Sequence, residues 1–491
     1  MPFRTRRRLG VGRLAVWAVL TALQLVLVAL LSWATVSLRH HGLEVDLLLM
    51  PAAVSLVLFE ARWFALPLMR VPVHRAQTRS FRVAMVTTFV PGAEPLDMLA
   101  ETLRALVAVR GHHDTWVLDE GDSADVRALA ESLGVRHFSR RGMPHYQTGP
   151  GPFAARTKHG NYTAWLDAVG YDVYDILVNV DPDHVLEPRF LERTLGHLED
   201  DTIAYVQAAQ AYYNQAASFI ARGAAEETYA YYSSVQMTSF ALGYPIVTGC
   251  HTVQRMQALR EVGGFADHDA DDLLITIRYR MSRWRGVYVP EILGRGITPV
   301  DWQGYLGQQR RWAASVLDIK FRIYPQIARL LPRRGRVVGL FHGLYYFYGI
   351  GMLFSLAVLS VALFSGDAAQ GPPSGWMALV TGMGVALCGC EAFRQSVFLD
   401  RRERGIFWRA GLLRFAKWPF VLLAFFDAAG GQPAEYQVTR KVPGTTGPAV
   451  GGPHLLAGGV VLALWSAAVA SGRHPALVFQ LAAAAVVALS A

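Results

Sequence analysis

Charge is scarce in this chain. Only 17% of its 491 residues are Asp, Glu, Lys or Arg, while 52% are hydrophobic and the mean hydropathy is +0.24. That balance is unusual for a soluble globule, so part of the chain belongs in lipid. Cysteine is scarcer still. Cys250, Cys388 and Cys390 cannot build a disulfide framework, and Cys388-Gly389-Cys390 sits in an apolar run where small residues serve helix packing. Also missing is a basic stripe interleaved with aromatics, so no nucleic-acid partner is expected. The formal charge of +9 comes largely from arginine clusters beside apolar runs, at residues 4–13, 333–336 and 401–404. Cytoplasmic membrane flanks carry positive charge in this way.

What is present is apolar sequence in two blocks. Residues 14–38 form a nearly uncharged run, longer than the core of a cleaved signal peptide, and read as a membrane helix. A second run at 43–68 returns the chain to the cytoplasm and closes a membrane region over 1–70. After residue 330 come spans at 337–364 and 376–399, then a hairpin at 455–470 and 476–491. The expectation is six spans with both termini inside. Residues 406–428 are apolar enough to span, but Arg409, Arg414 and Lys417 recur in the first half. An interfacial amphipathic helix is the reading, with a further span as the alternative. A Gly/Pro-rich loop follows at 429–453.

The middle, 71–300, has another character. Apolar strands at 81–89, 115–119 and 135–138, and one ending at residue 180, alternate with helices at 95–109, 123–133 and 158–169. Such alternation predicts an α/β domain built on a parallel sheet. Asp119 and Glu120 follow one strand; Asp181 and Asp183 follow another. Both acidic pairs fall at strand carboxyl ends, where ligands of such sheets gather. In Asp181-Pro182-Asp183-His184, two carboxylates one residue apart suit a hard divalent cation that also bridges phosphates. A plain turn capping the next helix is the competing explanation. Further on, residues 301–323 read as an amphipathic helix at the membrane surface. Its Gln308, Arg311 and Trp312 share one face.

Four ordered motifs carry a resemblance. Asp181-Pro182-Asp183-His184 matches an Asp-x-Asp, and Ala270-Asp271-Asp272 stands where Thr-Glu-Asp is usual. Gln308-Gln309-Arg310-Arg311-Trp312 fits Gln-x-x-Arg-Trp, and Tyr436-Gln437-Val438-Thr439-Arg440-Lys441 is similar to a Phe-x-Val-Thr-x-Lys gating loop. Over about residues 80–445 the chain resembles the membrane-embedded processive family 2 glycosyltransferases, the group of cellulose, hyaluronan and chitin synthases. The resemblance implies a GT-A-type, Rossmann-like catalytic domain (71–300) on the cytoplasmic side of the plasma membrane, inserted between transmembrane helices. An interfacial helix (301–330) and a C-terminal membrane region (331–491) follow.

For the site, the resemblance implies a Mg²⁺ or Mn²⁺ ion on Asp181 and Asp183. It makes Asp272 the general base, with Asp271 beside it. Thr87, Thr88, Glu94, Asp119 and Glu120 take the nucleotide; Lys158 and Arg311 take the donor phosphates. Gln308 and Trp312 meet the acceptor, and Thr439 and Lys441 close over the donor. Departures are the longer Thr87-to-Glu94 segment, Glu120 for aspartate, Tyr436 for phenylalanine and Val442 for glycine. The implied reaction is inverting transfer from a nucleotide-sugar, UDP-glucose favoured, to a β-linked polysaccharide that leaves through the membrane. Expected partners are that donor and acceptor, membrane lipid, and secretion or accessory proteins. No C-terminal regulatory domain is expected. Two rivals remain: transfer of one sugar to a polyprenyl phosphate, and a channel or transporter that only binds nucleotide.

Overall fold

A computed structural model describes residues 4–37, 56, 57, 59, 61–365, 374–398, 400, 403–431, 451–473 and 477–490. Ten strands occur among them. β1 (Thr5–Arg7) and β2 (Arg70–Pro72) make a small antiparallel ribbon at the membrane end. The others are β3 (Val83–Phe89), β4 (Asp114–Asp119), β5 (Arg136–Phe138), β6 (Ile176–Val180), β7 (Val185–Leu186), β8 (Ile203–Tyr212), β9 (Thr252–Arg255) and β10 (Arg285–Gly296). They form one eight-stranded sheet in the order β5-β4-β3-β6-β9-β8-β10-β7. β3, β4, β6 and β8 are buried on both faces apart from Asp114 at the start of β4, which is why they read as short apolar runs.

The sheet is mixed, not parallel throughout as the alternation predicts. β9 runs antiparallel to both β6 and β8, and β7 antiparallel to β10. Four residues are too few for direction to show in an apolar pattern. The consequence for the site is large. An antiparallel strand presents its amino end at the carboxyl edge of its neighbours. Residues 249–251, just before β9, therefore arrive beside the ends of β3, β4 and β6. In register, Asp119 lies opposite Phe89, and Val180 opposite Thr87.

Two cores pack on the sheet. One contains Leu99, Leu103, Val178, Val206 and Val287 and runs on without a break to Trp63, Met69, Phe393 and Phe398 at the membrane helices. The other holds Tyr162, Trp165, Leu177, Tyr205 and Tyr279. Among the described residues, four helices are long and apolar enough to cross a membrane: Val11–Ser37, Arg333–Leu363, Ser374–Ser396 and Gly452–Ala470. Trp376 Nε1 donates to Thr35 Oγ1 at 3.0 Å, tying the third of these to the first. The apolar run 43–68 falls largely outside the described residues, and the final helix Leu477–Ser490, at 14 residues, is shorter than the four. The second helix bends at Gly343, whose φ of 82° only glycine adopts readily.

The stretch 406–428 is a helix, Trp408–Ala429, and is not among those four. It lies along the helix Trp302–Asp318. The amphipathic stretch buries Tyr305, Leu306, Ala313, Ala314 and Leu317 against protein. Lys417, in the middle of Trp408–Ala429, is 1% exposed; its Nζ bonds Gln309 Oε1 at 2.6 Å and pairs with Glu227.

Candidate active site

The turn after β6 places Asp181 and Asp183 differently. Asp181 is half-buried and forms an ion pair with Lys158, whose Nζ also donates to the Gly249 carbonyl at 2.9 Å. Asn179 Nδ2 donates to the same carbonyl at 2.8 Å. Asp183 is buried, and its carboxylate lies 3.1 Å from His184 Nδ1. Carboxylate oxygens of Asp181 and Asp183 and a nitrogen of His184 all lie within 4.8 Å of one another. Two carboxylates at that spacing suit a hard divalent ion, with His184 held against Asp183 beside them.

Asp271 and Asp272 open the helix Asp271–Met281, where carboxylates are favoured by the helix dipole. Both are half-buried. Burial, then the mutual repulsion of neighbouring carboxylates, outweighs Lys158 and raises Asp271 to about 7. Asp272 is likewise pushed up to about 6, chiefly by burial. Burial works against the charge of Lys158, but Asp181, Tyr162 and Asp271 hold it well above the ordinary lysine value. Gly249 has a φ of +71°, and a Cβ there would come 3.4 Å from Asp272 Oδ2. One residue, Gly249, thus spaces the Asp272 carboxylate from the Lys158–Asp181 pair.

The other predicted residues fall in three groups. Thr87 and Thr88 lie near the end of β3 and are buried, Thr87 with its hydroxyl unpartnered. Glu94 accepts the Val90 amide at 2.9 Å. Asp119 is wholly buried and accepts the Gly121 and Ser123 amides at 2.9 and 2.5 Å, shaping the loop ahead of the next helix. Glu120 receives Nε and Nη2 of the buried Arg140 at 3.0 and 2.9 Å. Arg140 in turn donates to the carbonyls of Tyr146, Phe153 and Ala154, so this pair laces the loop before Lys158 to the end of β4. On the helix Trp302–Asp318, Arg311 Nη1 lies 3.2 Å from Asp269, and Ser315 also bonds that carboxylate. Gln308 and Trp312 are half-buried one turn apart on that helix. Thr439 and Lys441 lie outside the described residues.

Residues 176–388 match the family model described as Glycosyl transferase family group 2. That stretch is similar to group 2 glycosyl transferases over less than half of the chain. That match takes in β6, both acidic motifs and the Gln-x-x-Arg-Trp helix. The chain is 25% identical over 311 residues to a UDP-forming cellulose synthase catalytic subunit of Xanthomonas axonopodis pv. citri, covering 61% of this chain and 40% of that one. It is 27% identical over 248 residues to the Arabidopsis thaliana protein named "Probable glucomannan 4-beta-mannosyltransferase 14", covering 49% and 45%. The chain spans less than half the length of either relative. Among solved structures, a mannosyltransferase from Pyrobaculum calidifontis, in complex with GDP-Man and Mn²⁺, superposes with a TM-score of 0.52 at 16% identity. The match covers 79% of this chain and all of that one, and it establishes a common GT-A-like fold.

Sequence reasoning missed Gly249, Cys250, His251, Asp269 and Glu227. A glycine followed by Cys-His between two apolar stretches was the available signal for the first three. Asp269 stands two residues before a predicted site residue, but its partner Arg311 is 42 positions away. Nothing local marks such a pair.

Proposed function

We propose that the enzyme transfers a sugar, with inversion, from a nucleotide-sugar to the growing end of a β-linked polysaccharide that crosses the membrane. The observation that carries this is the pair Asp271–Asp272, raised toward neutrality and set across Gly249 from Asp181. A general base serves best when its pKa lies near the working pH. Asp272 takes the acceptor hydroxyl proton as that oxygen attacks the anomeric carbon, and Asp271 keeps the pair partly protonated beside it. Asp181 and Asp183 would hold Mg²⁺ or Mn²⁺, which would supply positive charge against the departing diphosphate. Lys158, released from Asp181, turns to the same phosphates, and Arg311 exchanges Asp269 for them. Thr87, Thr88 and Glu94 border the nucleotide directly. Asp119 and Glu120 hold the loops around it. Trp312 offers an apolar face to the terminal sugar, with Gln308 beside it. Residues 71–300 form the cytoplasmic domain, and Trp408–Ala429 lies at the membrane surface, leaving Thr439 and Lys441 on the donor side.

A second reading has one specific observation behind it. The guanidinium carbons of Arg62 and Arg414 lie 5.8 and 5.5 Å from the Tyr345 ring centre, beside the helices of the membrane region. Two such groups suit a lipid phosphate, the acceptor of a single-sugar transferase. Membranes containing the enzyme, given a panel of radiolabelled nucleotide-sugars with Mg²⁺ or Mn²⁺, separate the two. The proposal expects a high-molecular-weight product from a UDP-hexose, UDP-glucose first, that a β-glycosidase degrades. Label confined to an organic-extractable lipid assigns the second reading instead.

A further inference from the structure

His251 is in an unusual position for a histidine. Its φ of 55° is left-handed, a region that non-glycine residues enter at a cost. The side chain is fully buried, and the Ala209 backbone beside its ring is too poorly placed to make a well-formed hydrogen bond to either nitrogen. Buried polar groups are almost always well paired, so a poorly partnered imidazole on a strained backbone calls for a compensating contact. The surroundings are arranged to admit it. A Cβ on Gly294 would come 2.7 Å from His251 Nε2, and one on Gly296 would come 2.1 Å from His184 Nε2. Two glycines of β10 thus make the room that the two imidazoles occupy.

His184 packs edge-on to His251 with ring centres 4.7 Å apart. Cys250, a buried free thiol, lies beside both, and its sulfur accepts the Asp181 amide at 3.2 Å. One ligand atom from each of His184, Cys250 and His251 lies within 4.8 Å of the others. We propose that these three residues bind a borderline-soft divalent cation of the Zn²⁺ type, separate from the hard ion of Asp181 and Asp183.

The donor set decides the class. Two nitrogens and a thiolate favour Zn²⁺ and its neighbours, whereas carboxylate oxygens favour Mg²⁺ and Mn²⁺. Bonds of about 2.0–2.3 Å around a four-coordinate ion bring its ligands about 3.5 Å apart, so the trio, whose ligand atoms lie within 4.8 Å of one another, closes by about 1.3 Å at most. His184 Nδ1 lies 3.1 Å from Asp183, and its Nε2 lies 2.9 Å from Gln210 Nε2. Ligation costs His184 one of these contacts. If Nε2 binds, the Asp183 contact remains and orients the ring as a carboxylate orients a metal-bound histidine. The site's role follows from its place. It pins the turn carrying Asp183 to the loop carrying Gly249, and so fixes the two walls between which the donor phosphates sit.

The full chain, purified in detergent without chelator, provides the test, and its readout does not depend on sugar transfer. Elemental analysis is expected to find about one Zn²⁺-class ion per chain. Cys250→Ser and His251→Ala are expected to lower that content at least tenfold, while Asp181→Asn keeps it. Should the variants fail to fold, the wild-type protein loaded with Co²⁺ answers directly, through a thiolate-to-metal absorption band in the near ultraviolet. A wild-type chain that carries no such ion, and takes up neither Zn²⁺ nor Co²⁺ with sulfur ligation after chelation, overturns the proposal. Failure of the glycosyl-transfer reading would leave this result untouched.

Discussion

Replacing Asp272 by asparagine separates what its carboxylate does for chemistry from what it costs the fold. Its pKa rises from 3.8 to about 6 in the folded protein, chiefly through burial. Two units correspond to about 3 kcal/mol at most. Partial exposure and the sharing of a proton with Asp271 reduce this to about 1–2 kcal/mol. The sign is that of a raised carboxylate. Its contribution to stability is fully present below the unfolded value and is lost as pH rises through the folded one. At pH 7.5 the wild-type enzyme therefore carries a penalty that Asp272→Asn does not. The variant is expected to be more stable there by about 1–2 kcal/mol, with the gap closing below about pH 4. Its transfer rate should fall about 10²–10⁴-fold while nucleoside diphosphate binding persists. Radiolabel incorporation, calorimetric titration and thermal unfolding in detergent supply the readouts. Transfer within threefold of wild type would refute the base assignment. A variant less stable than wild type at pH 7.5 would refute the burial argument.

Chelation is expected to abolish transfer by the wild-type enzyme, with Mg²⁺ or Mn²⁺ restoring it; activity insensitive to EDTA would remove the role given to Asp181 and Asp183. Glu227→Gln leaves Lys417 buried without its countercharge and should destabilise the protein by about 3–5 kcal/mol in thermal unfolding, whereas Glu227→Leu with Lys417→Met should cost far less. Arg140→Met removes the guanidinium donors from Glu120 and from the carbonyls of Tyr146, Phe153 and Ala154. Faster proteolysis within residues 146–157 and loss of nucleotide binding are the expected results, and an unchanged digestion pattern counts against the lacing role. Amide exchange across residues 302–318 should stay slow with or without bound nucleoside diphosphate; acceleration on binding would mean that the helix itself moves.

The strands β3, β4 and β6 were legible because burial on both faces leaves an uninterrupted apolar run, and their acidic ends marked the site edge. The direction of β9 was not legible. Its four residues fit either sense, and only pairing with β6 and β8 decides it. That one reversal brings residues 249–251 to the site, so everything built on Gly249, Cys250 and His251 was hidden with it. Asp119 and Glu120 were found as a pair but not in their observed roles. A carboxylate that shapes a loop and one that receives a ligand look alike until the donors are located. Arg140 is 20 positions from Glu120, and Lys417 is 190 from Glu227. Distances along the chain of that order carry no periodic signal.

The helix Trp302–Asp318 is held on two sides, and this constrains how the site can respond to a donor. At the site, Arg311 and Ser315 share the carboxylate of Asp269. Away from it, Gln309 bonds Lys417, and Arg310 meets Asp427 at 2.7 Å. Lys417 is buried and also serves Glu227, on the helix Phe219–Ala230. Arg409 reaches Glu226 on that same helix at 3.2 Å. An exposed pair such as Arg310–Asp427 is worth little. The buried one is different, because moving the helix would take Gln309 from the desolvated Lys417 ammonium and Tyr305 from the Glu227 carboxylate. A donor phosphate offers Arg311 no more than the exchange of one anion for another. That exchange is too nearly balanced to pull the helix from Lys417. The adjustment therefore falls on the Arg311 side chain, whose long stem can swing while its backbone stays fixed. Trp312, on the next residue, keeps its place whether or not the donor is bound.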